Sequence, residues 1–157
     1  FMNVNNLAFT YSSYFIQDEN GMNLGQVKAP VKISHGEILR NNYIGCLTAI
    51  YDTKLLGKVF MPEFRKRQDW MLWIIIIKKL KVVKGLEKPL AIYTKRKTSI
   101  SSNKIQLLKH NWLVYHKGLN YSKAFSTILM VRFLFYYFKN KAQISIHCKE
   151  MGRVSNS

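Results

Sequence analysis

PEFRKRQDWMLWIIII, residues Pro62 to Ile77, is the stretch around which the chain is organised. Arg65, Lys66 and Arg67 lead into Gln68 and Asp69, and the eight residues after Asp69 carry no charge. A helix that is apolar almost all round belongs inside a domain, not on its surface. The pattern predicts such a helix from Gln68 to about Lys79, although the four isoleucines Ile74 to Ile77 also suit a strand. Asp69 then stands at the helix mouth, just behind a basic loop. The N-terminal end of a helix favours a carboxylate by roughly 0.3–1 kcal/mol, and the loop cations add to this, so Asp69 is expected to be ionised at neutral pH. By residue type alone, an Asp in a first turn is more often a cap than a catalyst. Scarcity favours chemistry here: the chain has 8 acidic residues, and this one lies among cations beside Trp70 and Trp73.

Against those 8 acids stand 25 lysines and arginines, a net charge of +17. Such a surface attracts nucleic acid, anionic lipid or phosphorylated small molecules, and charge alone does not choose between them. At 157 residues and 48% hydrophobic content the chain suits one domain with a real core, which excludes general disorder. Cys46 and Cys148 form no CxxC pair, as expected in a reducing compartment without a disulfide framework. No basic-then-apolar leader is visible in FMNVNNLAFTYSSY, and Phe1 stands where an initiator methionine would, so the chain is expected to start inside a longer protein. The longest nearly apolar run, Ala124 to Phe138, is broken by Arg132 and falls short of the ~20 residues of a spanning helix. It suits lying on a membrane, not crossing one.

In chain order, Leu7 to Ile16 has strand composition and closes at the turn Asp18 to Gly21, and a weaker extended segment, Met22 to Val27, completes a hairpin. Ser34 and Glu37 form a capping box that opens a short helix ended by Asn41 and Asn42. Cys46 to Tyr51 is predicted as a strand, and Lys54 to Phe60 as a connector. Lys81 to Leu86 and Leu90 to Tyr93 are predicted as two short strands parted by Glu87-Lys88-Pro89, which makes this an α/β chain.

The basic, hydroxyl-rich segment Thr94 to Lys104 follows. As a charge run it is most simply a solvated loop; as an anion clamp, Arg96 and Lys97 would supply charge while Ser99, Ser101 and Ser102 donate to phosphate oxygens. Helices are predicted over Lys104 to Lys117, stopped by Gly118, and over Ser122 to Lys139, whose aromatic face suits either packing or an interfacial position against anionic headgroups. The tail from Ala142 to Ser157 is expected to be irregular.

No GxGxxG, Walker loop, HExxH, zinc spacing or Asp-x-Asp pair occurs. His110 and His116 are six residues apart and do not share a helical face well enough to ligate a metal together. Any divalent ion would have to take its acidic ligands from elsewhere, since Mg²⁺ and Mn²⁺ want carboxylate and phosphate oxygen.

The ordered pieces NNYIGCLTAIYD, PEFRKRQDWMLW and KPLAIYTKRKTSISSNK, followed by a basic aromatic helix, resemble the C-terminal half of bacterial family 2 glycosyltransferases, roughly from Asn5 to Lys141. That resemblance implies an α/β chain carrying part of a GT-A fold with a mixed sheet, followed by basic aromatic helices. The implied divisions are 1–101 for the catalytic half, 102–141 for a helical extension and 142–157 for an irregular tail.

It further implies an inverting transfer from a nucleotide-diphospho-sugar to a glycan or lipid-linked acceptor, with Asp69 as base. Arg96, Lys97 and Ser99 would meet the diphosphate, while Arg65, Arg67, Gln68 and Trp70 would border the acceptor. A divalent metal, Mg²⁺ or Mn²⁺, is implied with its ligands outside this chain, because the donor-binding half and its Asp-x-Asp precede the matching region. By itself the chain is then expected not to bind donor or turn over. Its expected place is cytoplasmic, peripheral at the inner face of a membrane. The competing reading is an incomplete fragment acting as a basic membrane-surface or nucleic-acid-binding module. Against nucleic acid, no recognition motif is present and the helix after Asp69 is too apolar to face phosphates.

Overall fold

The computed structural model describes residues 1–96 and 104–154, with side chains described in 1–96 and 107–138. Its centre is strand β1 (Phe9–Gln17), which pairs on one edge with β5 (Val82–Thr94) in parallel. On the other edge β1 pairs antiparallel with β2 (Asn23–Val27) along its second half and with β4 (Ile50–Tyr51) at its start. Strand β3 (Lys32–Ser34) closes the far side, antiparallel to β5. The resulting mixed sheet, with helices packed against it, is the α/β arrangement of a partial GT-A-like fold.

The β1–β2 hairpin turns as expected, with Asp18 Oδ1 accepting from the backbone of Asn20 at 2.9 Å and Met22 at 2.8 Å. The capping box is complete in α1 (His35–Ile38): Ser34 N–H donates to Glu37 Oε2 at 2.7 Å, and Glu37 N–H to Ser34 Oγ at 3.3 Å. The Ser34 hydroxyl, donating to Glu37 Oε2 at 2.6 Å, and then the Ser34 N–H hold the Glu37 carboxyl below its usual range, opposed by burial and helped by Arg40. A short helix, α2 (Thr53–Leu56), follows on an Asp52 cap.

A parallel pair needs a long crossover, and here the crossover carries α3 (Gln68–Leu80), the helix expected over Gln68 to Lys79. Trp70, Met71, Leu72, Trp73, Ile74, Ile76 and Ile77 are all buried. Phe9 of β1 lies 5.5 Å from Trp73 between ring centres, and on another side Phe133 lies 5.7 Å from Trp70. Neighbours on several sides decide the isoleucine run. Each fully buried Ile gains about 1.5–3 kcal/mol, against a helix-propensity loss of about 0.5 kcal/mol.

Helix α4 (Lys104–Leu113) runs on through a π-helical turn, Val114–Gly118, to α5 (Lys123–Val154). Val114, Tyr115, Leu129 and Phe133 join the same hydrophobic cluster as Phe9, Ile33 and α3, so these helices and the sheet share one core.

Four expectations are corrected. Cys46 to Tyr51 is not one strand: Cys46–Thr48 is a 3-10 turn closed on the Gly45 carbonyl by both Thr48 N–H and Thr48 Oγ1 at 2.9 Å, leaving Ile50–Tyr51 to pair. The connector after Lys54 opens inside α2. The two strands parted by Pro89 are one, because register shifts opposite Ser12, Ser13 and Tyr14 accommodate the extra residues around a proline that has no N–H to give. The stretch from Ala142, expected to be irregular, continues α5 to Val154, with no Pro or Gly before Gly152 to stop it.

Gly85 lies opposite Tyr11 in the β1–β5 register, and Tyr11 Oη donates to the Pro30 carbonyl at 2.7 Å. A Cβ on residue 85 would meet both that carbonyl oxygen and the Tyr11 ring. Gly85→Ala is therefore expected to destabilise the chain by about 1–3 kcal/mol, the usual effect of overpacking. Chemical denaturation of the two proteins checks this, and an unchanged midpoint would contradict it.

Candidate active site

The site starts at the end of α1. Like any helix end, it leaves carbonyls without intrahelical partners. Two buried aromatic donors satisfy them: Trp70 Nε1 donates to Ile38 O at 2.7 Å and Tyr115 Oη to Leu39 O at 2.6 Å. Burial drives the Tyr115 phenol well above its ordinary range, with Arg67 and Arg132 opposing, so it stays a donor. Three residues beyond Leu39, Asn42 Nδ2 donates to Asp69 Oδ2 at 3.2 Å.

Asp69 is half-buried in the first turn of α3. Arg67, at the N-cap, adopts the left-handed conformation (φ 66°, ψ 16°) and no side chain caps the helix. A non-glycine residue there costs about 1–2 kcal/mol, and the sharp turn coincides with a division of labour. The Arg67 guanidinium lies over the Trp70 ring, 5.7 Å from its centre, while Gln68 and Asp69 line an open cleft of about 320 Å³. Cys46, Met61, Arg65 and Arg67 contribute to the same cleft.

The cleft is cationic around one carboxylate. Burial pulls the Arg67 pKa down while Asp69 and Tyr115 pull it up; an arginine remains charged in such surroundings. His110 nearby is held below the ordinary imidazole range by desolvation and by Lys66, Lys109, Arg65 and Arg67. The Cys46 thiol is pushed up, first by burial and then by the charge of Asp69. Among the described residues no group of three His, Cys, Asp or Glu could hold a metal ion, and Asp69 is the one carboxylate lining this cleft. Those residues do not fit a divalent cation.

Arg65, Arg67, Gln68 and Asp69, singled out from the sequence, thus line one cleft. Trp70 does not border it and is corrected: the side chain is 0% exposed, its N–H is bonded to Ile38, and it has no free face for a sugar ring. Arg96 is exposed just past the end of β5 and does not line this cleft, while Lys97 and Ser99 lie outside the described residues. Sequence reasoning missed Asn42, taken only as a helix stop, and Cys46, taken as a strand residue. A polar amide directly after a capped helix was the one available pointer.

The chain is homologous to bacterial glycosyltransferases. TuaG of Bacillus subtilis (strain 168), assigned to teichuronic acid biosynthesis as a glycosyltransferase, is 35% identical over 127 residues, 79% of this chain and 50% of its own length. WfgD of Escherichia coli, named a UDP-Glc:alpha-D-GlcNAc-diphosphoundecaprenol beta-1,3-glucosyltransferase, is 36% identical over 109 residues, 69% of this chain and 42% of its own. WfaP, also of Escherichia coli and with the same named activity, is 28% identical over 138 residues, 87% of this chain and 52% of its own. The chain spans about half the length of these curated relatives. No protein-family model matches it, and no solved structure matches it significantly.

A negative charge beside a thiol disfavours the thiolate. Asp69→Asn is therefore expected to lower the Cys46 pKa and speed its alkylation by iodoacetamide near pH 8, measured in a Cys148→Ser background. An unchanged rate would place the carboxylate out of electrostatic range of the thiol.

Proposed function

We propose that this chain is the acceptor-side portion of an inverting glycosyltransferase that uses a nucleotide-diphospho-sugar donor, with Asp69 as general base. The supporting observation is the half-buried Asp69 carboxylate, bonded to Asn42 and facing a cleft whose other charged groups are cations. Asp69 takes the proton from an acceptor hydroxyl as that oxygen attacks the anomeric carbon. The bond from that carbon to the diphosphate oxygen breaks, nucleoside diphosphate leaves, and the configuration inverts. Asn42 restrains the rotation of the carboxylate through Oδ2, a positioning role.

Arg65, Arg67 and Gln68 meet the acceptor. WfgD and WfaP are named for an acceptor that carries a diphosphate and a polyprenyl chain, and a cationic cleft suits such a head group through charge-assisted hydrogen bonds. Arg96, Lys97 and Ser99 are the candidates for the donor diphosphate. A divalent ion, Mg²⁺ or Mn²⁺, would neutralise the leaving diphosphate when bound, and no residue of this cleft is assigned to it.

The reading places the protein at the cytoplasmic face of a membrane. Phe125, Ile128, Val131, Phe135 and Phe138 recur at helical spacing on α5 and are all exposed, with Lys123 and Arg132 on the same helix. The exposed apolar stripe with cations on the same helix is assigned to the headgroup boundary; among the described residues no helix is long and apolar enough to cross a membrane.

In the complete enzyme, Asp69→Asn is expected to lower transfer by about 10²–10⁴-fold, the range for loss of a general base. Transfer left intact would sink the assignment of the base. Replacing Ile128 and Phe135 together by Glu is expected to abolish co-flotation with liposomes rich in anionic lipid; undiminished flotation would remove α5 from the membrane contact.

A further inference from the structure

Behind Arg67 lies a second cavity, of about 380 Å³, between α4 and α5. Leu108, Asn111, Phe133 and Leu134 line it, and Arg67 and Leu107 are shared with the Asp69 cleft, so these two side chains stand where the spaces adjoin. The cavity is mainly apolar, with Asn41, Arg67, Asn111 and Tyr137 as its polar lining. Asn111 is 1% exposed, and neither its Nδ2 nor its Oδ1 has a hydrogen-bond partner.

Buried polar groups are almost always satisfied; Trp70 and Tyr115 both reach carbonyls, whereas Asn111 leaves a donor and an acceptor unpaired together, and Arg67 Nε on the same cavity is unpaired as well. An apolar residue of similar size would serve the fold better at position 111. The unpaired amide is therefore a group the fold does not use. It offers donors on Nδ2 and an acceptor on Oδ1 a short distance apart. The complement of that pair is another amide, whose carbonyl accepts from Nδ2 while its N–H donates to Oδ1. The surrounding Leu108, Phe133 and Leu134 suit a methyl group.

We propose that this cavity is a subsite for the acetamido group of an N-acetylated sugar in the acceptor, read by Asn111. The proposal rests on the acceptor cleft assigned above, with the sugar passing Arg67 towards Asp69. Both amide atoms are shielded from solvent in the free protein, so binding requires a wall side chain to swing. Leu107 and Leu108 are the neighbours of Asn111 one turn earlier on the same helix face.

The test uses the full chain and two probes, the methyl glycosides of N-acetylglucosamine and of glucose, with binding followed by ligand-observed NMR. Wild type is expected to prefer the acetamido glycoside by at least about tenfold, a modest demand on an uncharged hydrogen-bonding subsite. Asn111→Leu is expected to lose that preference with a thermal midpoint unchanged or raised, and Leu108→Trp, which fills the cavity, to lose it as well.

Equal binding of the two glycosides, binding of neither, or preference retained in either variant would overturn the subsite. So would a midpoint lowered by Asn111→Leu, which would reveal a structural partner for the amide, or displacement of the bound glycoside by farnesyl phosphate in preference to either sugar. Asp69→Asn is expected to keep the acetamido preference. Failure of the base and failure of the subsite are thereby read in different proteins.

Discussion

Two hydrogen bonds at the end of α1 hold the candidate site together. Trp70 comes from α3 and Tyr115 from the turn after α4, and they bind consecutive carbonyls, Ile38 and Leu39. Both rings are fully buried and pack edge to face, 5.5 Å apart. A buried donor without its acceptor costs about 1–3 kcal/mol, so neither element can slide without losing a bond. The third party to this clamp is the segment after Leu39, and its fixed position brings Asn42 to Asp69. The core aromatics thus help to orient the Asp69 carboxylate by way of Asn42.

Charge around that carboxylate follows from the same packing. Arg67 is drawn inwards over Trp70, while Arg65 stays exposed on the cleft wall. Half-buried cations act through a lower effective dielectric than exposed ones and are screened less by salt. The His110 imidazole is held low first by desolvation and then by Lys66, Lys109 and these two arginines. Among such neighbours the cations offset the repulsion that a lone carboxylate would exert on any anion entering the cleft.

Much of this was legible in the residues, for reasons that can be named. The Asp18 turn, the Ser34–Glu37 capping box and the apolar run after Asp69 are local patterns, and local patterns survive in the sequence. Arg65, Arg67, Gln68 and Asp69 are contiguous enough to enter one cleft together. Errors came where tertiary packing overrides composition. Trp70, next to Asp69, was assigned to the pocket, yet residues i and i+1 of a helix point about 100° apart, and Trp70 faces the core. Pro89 was read as a break because strands seldom hold proline, and only the partner strand shows the bulge that accommodates it. Asn42 has only its place after a capped helix to mark it, and Asn111 has no local pattern: one gains meaning from a residue 27 positions away, the other from a cavity.

The β1–β5 pairing also bears on how the chain is made. Thr10 Oγ1 donates to the Lys84 carbonyl across 74 residues, and the parallel ladder forms the middle of the sheet. A growing chain can close the β1–β2 hairpin early, but β1 keeps one edge open until Thr94 has left the ribosome. Contacts of this span come late and slowly, and an unpaired strand edge invites association with other chains. The candidate site depends on α3, which lies inside that crossover. Formation of the site is therefore tied to the most non-local step of folding, and synthesis of the protein carries a window in which the central strand itself is open to other chains.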